Sequence, residues 1–477
     1  MTVRLATLND FSLESFRCTA WNNEDVVLDE KALATMAASR NHFMSLIADP
    51  EIVVYGVTSG YGQNARKRYN AIERSAQARL PPISQGAAWG NPLPERVVRG
   101  IIFARLANFV SGYSAVSPNI AVAVAAMLDG RPVPVVPSRG QGGAGEILSL
   151  SHVFGPLVRG QMTAEKDVLS LINGSPAATA LVADTALAAT QRLDLTLRVF
   201  ALTAEAFNIP LSHFSRELGI LWNNADDQWA LAGLNAAIGE GHGGQRRPYQ
   251  APVSFRIIPR MLGQARRAER QAHEIAAESL GAITDNPVFL PEDADHQHGQ
   301  MISTGGYHNP HAVVAMDAVT AANINLVTMA GRLASKLLDG SVSLLPDQLG
   351  LSGHPGYMGC LPMAITGFEE EARMCAVATL LPGSEAGGFN SDDVASPVFL
   401  AWTKQERVGV LLEAALASLS LVAARAYQVT GRAVPPALQP LFQTILEFLP
   451  DPDAGQVLGP PSSQLEAVFR AQIYGAR

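Results

Sequence analysis

The sequence has few cysteines and few charged residues. Its 477 residues include three cysteines, Cys18, Cys360 and Cys375, which are odd in number and far apart, and this usage is typical of a reducing compartment. The 35 Lys and Arg residues form no long basic run and the net charge is −8, so nucleic acid is not an expected partner. The N-terminus lacks the apolar core of a signal peptide. We therefore expect a cytoplasmic protein.

The sequence also lacks a long apolar run that is free of charge. The most apolar late segment, VGVLLEAALASLSLVAARAY, carries Glu413 and is rich in Ala and Ser. It predicts a buried bundle helix, and we expect no membrane contact. Only 16% of the residues are charged, whereas 48% are hydrophobic, so more surface is expected to be buried than one subunit can hide. Self-association is the natural expectation.

Helical periodicity dominates what the sequence does contain. Apolar spacing predicts long helices over 175–207, 255–282, 311–338 and 401–430, with Ser175 as N-cap and Pro176 as the first helical residue of the first. Strand-like pieces are short, IVVYGV and PVPVV, and lie before residue 140. The fold class is therefore mainly α, a long helical bundle with a smaller loop-rich N-terminal part. We divide the chain into 1–170 and 171–477, as one continuous structural unit.

The segment SRGQGGAGEILSLSH, residues 138–152, contains a glycine pattern of the form G-x-G-x-x-G. A dinucleotide-binding loop is not expected, because the proline-rich lead-in is a poor strand and no acidic residue follows at a strand end. The absence of Gly-Lys-Ser/Thr excludes a phosphate-binding P-loop. The remaining interpretation is a glycine-rich loop that enters a helix at Glu146.

Several polar motifs punctuate the predicted helices in a fixed order. They are VYGVTSGYG (54–62), GYSAVSPN (112–119), LINGSPAA (171–178), QAPVSFRIIPR (250–260), ITDNPVF (283–289), ISTGGYHNP (302–310) and FNSDDVAS (389–396). This set resembles the aromatic amino acid ammonia-lyase family, which includes histidine and phenylalanine ammonia-lyases, over roughly residues 50–400. The resemblance implies a mostly helical homotetramer whose active sites each draw residues from three subunits.

The resemblance also implies a cofactor, the methylidene-imidazolone MIO, made from an Ala-Ser-Gly tripeptide of the chain. Here Glu146-Ile147 stand for the family's Asp-Leu, which places the tripeptide at Gly143, Ala144 and Gly145. Counted forward from Pro137, the loop is one residue short. Either way, no serine lies between Ser138 and Ser149, so no hydroxyl is present to eliminate. We therefore expect a degenerate cofactor loop and no cofactor.

Other pocket positions of the family are partly kept. Tyr55 matches the catalytic tyrosine, Asn173 and Gln250 match substrate-contacting amides, and Arg256 matches the arginine that binds the substrate carboxylate. The departures are Gln85 for the pocket histidine, Val253 for the second tyrosine, Tyr307 as the late aromatic residue, and Ser391 or Asp392 for the late glutamate. The predicted catalytic residues are Tyr55 and Tyr307, and the predicted substrate-binding residues are Gln85, Asn173, Gln250, Arg256 and Ser391.

Each of these residues also has an ordinary structural interpretation. Tyr55 could be a core aromatic on a strand, Arg256 a salt-bridge residue, Asn173 a helix cap and Gln250 a plain loop residue. His308 is expected to be a structural hydrogen bonder rather than a base. The acidic and histidine residues of PEDADHQHGQ are expected to be solvated, so no metal site is predicted.

A lost electrophile limits the chemistry, because ammonia is a poor leaving group and general acid–base help is worth about 10²–10⁴-fold. Three hypotheses follow. The pocket acts on a small carboxylate substrate by an easier elimination, an isomerisation, an addition or a cyclisation. Alternatively, the protein binds a ligand without turnover, or it is a structural partner in a mixed tetramer. We favour the first, because the chain keeps Tyr55, Asn173, Gln250 and Arg256 together.

Overall fold

The computed structural model describes residues 2–160, 163–241, 245–380, 393–453 and 456–475. Its α-helices, in chain order, are α1 Leu13–Phe16, α2 Glu30–Leu46, α3 Ala71–Gln77, α4 Glu95–Val110, α5 Pro118–Ala125, α6 Ile147–Val158, α7 Asp167–Ile172, α8 Pro176–Ala206, α9 Glu217–Trp222, α10 Ala225–Ile238, α11 Val253–Arg256, α12 Ile258–Leu280, α13 Pro310–Leu338, α14 Gly340–Ser343, α15 Leu361–Arg373, α16 Val398–Thr430, α17 Gln439–Leu446 and α18 Gly459–Ile473.

The four long helices confirm the mainly α prediction. Helices α8, α12, α13 and α16 are 31, 23, 29 and 33 residues long and lie where the apolar periodicity placed them. Alanine and leucine give these helices high helical propensity, and the small alanine side chains at buried positions allow close packing. Helices α13 and α16 have the length and composition of membrane spans, but most residues of their apolar windows are buried inside the protein, as in core helices.

In the part of the chain that the structure describes, the strands are short and form three separate pairs. Strands β1 (Thr2–Leu5) and β2 (Asp25–Leu28) are parallel, whereas β3 (Trp89–Pro92) with β4 (Pro137–Arg139), and β5 (Val288–Leu290) with β6 (Gln300–Ile302), are antiparallel. The two segments expected as strands from their sequence are not strands. Residues 52–57 lead into a turn, and 132–136 belong to no strand, since two of their five residues are prolines, which have no N–H to donate. The carbonyl of Val136 nevertheless accepts the N–H of Leu93 at 2.8 Å.

The contacts divide the chain into two compact units. The first unit holds residues 1–187, 272–316 and 378–402, and the second holds 188–271, 317–377 and 403–477. The division falls within each of the four long helices. The earlier division into 1–170 and 171–477 rests on composition and stays a prediction.

In the first unit, buried Asp184 of α8 fixes three other segments. Its carboxylate accepts hydrogen bonds from the indole nitrogens of Trp21 and Trp402, both at 3.0 Å, and from Nε of Arg96 at 2.8 Å. A buried carboxylate that receives several donors is satisfied despite the loss of water.

In the second unit, the buried carboxylate of Glu413 on α16 has a comparable role. It accepts from Nε of Arg192 at 2.8 Å and from Nε of Arg470 at 3.0 Å, one on each oxygen. This pairing ties α8, α16 and α18 together at a point where Glu413 itself is fully buried. Both guanidinium groups therefore offset the desolvation of the acid.

Candidate active site

Tyr55 lies on a turn held by its neighbours. The carbonyl of Val54 accepts from the N–H groups of Val57 and Thr58, and the Thr58 hydroxyl accepts from the N–H of Val54 at 2.7 Å. Val54 and Val57 are buried in an apolar cluster with Phe43, Ile47, Ala115, Leu169 and Phe289. Turn hydrogen bonds and apolar anchors on both sides of Tyr55 therefore fix its backbone and leave its ring half-buried.

The hydroxyl oxygen of Tyr55 has a defined partner. It accepts the backbone N–H of Gly62 at 3.0 Å. An N–H donated to a phenolic oxygen stabilises negative charge on it, which is useful to a group that takes a proton. Gln85 reaches the same loop, because its amide nitrogen lies 3.5 Å from the hydroxyl of Tyr61, a long hydrogen bond.

The glycine-rich loop lies against the predicted aromatic residue. A Cβ added to Gly145 would stand 3.6 Å from the ring of Tyr307, and the carbonyl of Gly143 accepts the N–H of Ser396 at 2.8 Å. The backbone φ of Gly143 is +123°, a conformation that strains any residue with a side chain. The loop and the segments around residues 307 and 396 thus form one local structure.

Glu146, which follows this loop, is buried and holds the start of α8. Its two carboxylate oxygens accept the N–H groups of Ala177 and Ala178 at 2.5 and 2.6 Å. Burial raises the pKa of Glu146 to about 8, although these two N–H groups and the charge of Arg105 act in the opposite direction. Sequence reasoning placed Glu146 at a helix start but did not find its second role as the cap of α8.

Ser175 does occupy the predicted position before Pro176, and its carbonyl accepts the N–H of Thr179 at 3.1 Å. Its hydroxyl, however, donates to the carbonyl of Gly306 at 3.2 Å instead of capping the helix. The side-chain cap comes from Glu146, because a carboxylate can accept both N–H groups and suits the positive end of a helix dipole.

Asn173 follows α7 directly and is half-buried. Its side-chain oxygen accepts the N–H of Gly174 at 2.9 Å, and its carbonyl accepts Nη1 of Arg105 at 2.5 Å. A Cβ on Gly174 would lie 2.8 Å from Nη2 of Arg105, and the φ of Gly174 is +85°. Only glycine therefore suits the position after Asn173, which fixes the direction of the chain there.

A buried polar cluster beneath this segment was missed by sequence reasoning. Nζ of Lys166 lies 2.9 Å from the carboxylate of Asp285, and the hydroxyl of Ser170 donates to the same oxygen at 2.7 Å. Burial alone would raise the pKa of Asp285, but the charges of Lys166 and Arg105 outweigh it and lower the pKa. The signal in the sequence was Arg105, a single cation inside the apolar run IIFARLANFV.

Arg256 and Gln250 belong to the second unit. Arg256 ends the one-turn helix α11, not the start of the long helix as its sequence position predicted, and its Nε donates to the carbonyl of Ala251 at 3.1 Å. The preceding Phe255 stacks on Phe207, with ring centroids 4.1 Å apart. This stacked neighbour anchors the backbone of Arg256. The charge of Arg256 also reaches His213, whose pKa is lowered first by burial and then by this charge.

The remaining predicted positions have simpler outcomes. Gln250 and Val253 are exposed in this single chain, and His308 lies with Nε2 3.2 Å from the carbonyl of Ala395, which fits a structural hydrogen bond. Ser391 and Asp392 lie outside the described residues. Among the residues that the structure describes, no three His, Cys, Asp or Glu side chains group as metal ligands.

Comparisons with known proteins agree with this fold and with membership of a known family. The model of the aromatic amino acid lyase family matches residues 11–447. Histidine ammonia-lyase of Symbiobacterium thermophilum is 27% identical over 456 residues, 89% of this chain and 88% of that protein. Histidine ammonia-lyase of Deinococcus radiodurans is 28% identical over 385 residues, 73% of this chain and 71% of that protein.

Two solved structures are similar over the whole chain. Tyrosine aminomutase of Streptomyces globisporus is 25% identical, with a TM-score of 0.87 and coverage of 100% of this chain and 98% of that one. Ergothionase of Treponema denticola, described as an ergothioneine-degrading enzyme, has a TM-score of 0.90 at 18% identity and covers both chains fully, a likeness of fold. The chain is a member of the aromatic amino acid lyase family.

Proposed function

We propose that this protein is an enzyme of the aromatic amino acid lyase family that works without MIO. In this proposal it acts on a small substrate that carries a carboxylate or derives from an amino acid. The reaction is an elimination of a group that leaves more easily than ammonia, an isomerisation, an addition or a cyclisation. Acid–base side chains carry the chemistry.

The observation that supports the proposal is the composition of the loop at Gly143–Gly145. This loop lies against Tyr307, and Glu146 directly after it caps α8, so the local scaffold is intact. Yet the chain has no serine between Ser138 and Ser149, and the serine is the source of the methylidene carbon. The residues present do not fit the cofactor, so no step of the proposed reaction uses it.

The proposed roles follow from the chemistry of the side chains. Arg256 holds the substrate carboxylate, since a planar guanidinium can donate two parallel hydrogen bonds to it. Tyr55 transfers the proton, and the N–H of Gly62 stabilises the charge that its oxygen gains. Tyr307 is a second catalytic candidate beside the loop. Gln85, Asn173, Gln250 and Ser391 are proposed to contact the rest of the substrate.

We also propose a homotetramer with two-fold symmetry, in which several copies contribute residues to each site. The expected result of light scattering at micromolar concentration is the mass of four chains. A monomer under these conditions would contradict both the assembly and the shared active site.

Intact mass spectrometry tests the cofactor part of the proposal. The measured mass should equal that of the unmodified chain, because no Ala-Ser-Gly cyclisation can remove two waters. A deficit of two waters that maps to a peptide containing Gly143–Gly145 would overturn this part. In addition, histidine, phenylalanine and tyrosine should yield no urocanate, cinnamate or coumarate.

A ligand is first sought in a panel of amino acids, betaines such as ergothioneine, and their N-modified derivatives. Two substitutions then test the catalytic roles with that ligand. Tyr55→Phe should lower turnover by about 10²-fold or more and change binding by less than about tenfold, because it removes only the proton-bearing oxygen. Arg256→Lys should weaken binding by about 1–3 kcal/mol, because it keeps the charge but loses the fork.

The matched controls are Tyr113→Phe and Arg407→Lys, which change a partly exposed tyrosine and an exposed arginine in the same way. Normal turnover of Tyr55→Phe would show that the proton-transfer assignment is wrong. Binding without turnover by the wild-type protein, over the whole panel, would instead favour the alternative of a non-catalytic binding or regulatory homologue.

A further inference from the structure

Arg105, in the second half of α4, is fully buried and reaches the end of α7. Its Nη1 donates to the carbonyl of Asn173 at 2.5 Å and also to the carbonyl of Ser170. The last carbonyls of a helix have no partner within the helix, and a cation placed there satisfies them and suits the helix dipole. Arg105 therefore caps α7 at the point where the chain passes into Asn173.

These two carbonyls are the acceptors of the Arg105 guanidinium. Burial lowers the pKa of Arg105, whereas the charges of Asp285 and Glu146 act in the opposite direction. Among the residues that the structure describes, Nε and Nη2 of Arg105 have no hydrogen-bond acceptor, so its hydrogen bonds all go to the end of α7. A change at residue 105 should therefore be felt first in that segment.

The backbone at the end of α7 is held from two sides. The carbonyl of Ser170 accepts from Arg105, and its hydroxyl donates to Asp285 at 2.7 Å. A Cβ on Gly174 would lie 2.8 Å from Nη2 of Arg105, so the backbone directly after Asn173 packs on the guanidinium. The end of α7 therefore has little room to shift while Arg105 is in place.

A second residue of α4 continues this support. Asn108 lies three residues after Arg105, on the same side of the helix, and its Oδ1 accepts the N–H of Thr284 at 2.8 Å. The hydroxyl of Thr284 in turn accepts the N–H of Ser175 at 3.0 Å. One side of α4 therefore holds Asn173 directly and the chain after it through Thr284.

We propose that Arg105 is a positioning residue of the proposed active site. Its guanidinium fixes the backbone of Asn173 and thereby the place from which the Asn173 amide meets the substrate. Arg105 itself touches no substrate, because it is fully buried. The part of this inference that concerns the substrate rests on the proposed function, whereas the hold of Arg105 on α7 does not.

Hydrogen exchange followed by mass spectrometry tests the hold on α7. In Arg105→Met, a peptide over residues 167–175 should exchange about tenfold faster than in wild type, because the last carbonyls of α7 lose their donor. The matched control is Arg99→Met. Arg99 lies on the same helix and is also fully buried, but it donates to carbonyls of other segments, among them Thr19 and Leu128.

The two variants should show opposite patterns of exchange. Arg99→Met should speed exchange around residues 19–24 and 126–129 and leave 167–175 as in wild type, and Arg105→Met should do the reverse. A general loss of stability raises exchange in all these regions, so opposite patterns exclude it. Arg105→Lys keeps the charge and a donor and should restore much of the protection of 167–175.

Ligand binding tests the link to the proposed active site. Calorimetry with the panel of amino acids and betaines gives the affinities of wild type, Arg105→Lys, Asn173→Ala and the double variant. For a panel member that binds, Arg105→Lys should weaken binding by about threefold to tenfold when Asn173 is present, and by less than about twofold in Asn173→Ala, because Arg105 acts through Asn173. Arg99→Lys is the control and should bind like wild type.

Three results would overturn the inference. They are wild-type exchange of 167–175 in Arg105→Met, an equal rise of exchange in all the regions compared, and equal weakening of binding by Arg105→Lys with and without the Asn173 side chain. Should Arg105→Met not fold, Arg105→Gln also removes the charge and takes its place. If no panel member binds the wild-type protein, the proposed function loses its support, and the exchange data still decide whether Arg105 holds Asn173.

Discussion

Glu146 in the first unit and Glu413 in the second are both buried acids on which several segments depend, but they are held differently. Glu413 has one guanidinium group on each oxygen, from Arg192 and Arg470. Glu146 has two backbone N–H groups at the start of α8 and only the more distant charge of Arg105. A buried acid can thus be satisfied by full charges or by the partial charges of a helix end.

The difference has a consequence for protonation. Backbone N–H groups satisfy the hydrogen bonds of Glu146 but do not neutralise a full charge, so burial raises the pKa of this carboxyl to about 8. The resemblance to the family assigns the cofactor position to the loop directly before this acid, at Gly143–Gly145. We therefore expect the stability of the first unit to vary with pH through the protonation of Glu146. The stability of the second unit is expected to depend on the intact ion pairs of Glu413.

The largest effect is expected from breaking the paired acid. Glu413→Gln removes the negative charge between two guanidinium groups and leaves Arg192, which is 1% exposed, with Glu406 as its remaining carboxylate. The free energy of unfolding should fall by about 3–5 kcal/mol, the usual result of removing one partner of a buried ion pair. Urea denaturation measures this loss. A loss below about 1 kcal/mol would show that water or a movement of Arg470 compensates the lost charge. The ion pairs of Glu413 would then not be what stabilises the second unit.

A smaller, pH-dependent effect is expected at Glu146. Its pKa is raised in the folded state, so the stability contributed by its proton is fully present below about pH 4.5 and is lost as pH rises toward about 8. The stability of wild type relative to Glu146→Gln should therefore fall by about 2 kcal/mol between pH 6 and pH 7.5, at about 1.4 kcal/mol for each pH unit. Denaturation curves of both proteins at several pH values give this difference.

Glu146→Gln also loses one of two acceptors for the N–H groups of α8, which should cost about 1 kcal/mol at every pH. The pH-independent part of the stability difference therefore measures the lost hydrogen bond, and the pH-dependent part measures the protonation of Glu146. A difference between the two proteins that does not vary with pH would mean that Glu146 is ionised in the fold throughout this range.

The smallest effect is expected at an exposed pair of the second unit. Arg407 and Glu371 are 59% and 44% exposed, and water screens their attraction. Arg407→Gln should change the free energy of unfolding by less than about 1 kcal/mol, and less still in high salt. If this variant were as unstable as Glu413→Gln, burial would not be what distinguishes the two ion pairs.

Periodicity predicted the fold better than it predicted the local structure of the site. The spacing and length of the apolar segments located α8, α12, α13 and α16, because helices that are mostly buried need apolar residues over many turns. It failed for the segment around Tyr55, where an apolar run predicts a strand. There, the N–H of Val54 donates to the Thr58 hydroxyl, and Val54 and Val57 are anchored in a cluster of residues from other segments, so the chain forms a turn instead.

Motif order identified the family, and the sequence shows that no serine lies between Ser138 and Ser149, since both need only the chain itself. The position of a residue in the sequence does not show which groups surround its side chain in the fold. The raised pKa of Glu146 and the pairing of Lys166 with Asp285 both depend on groups more than twenty residues away. Desolvation and charge act through space, so only the tertiary structure decides which ionisable groups of this chain are paired and which have a shifted pKa.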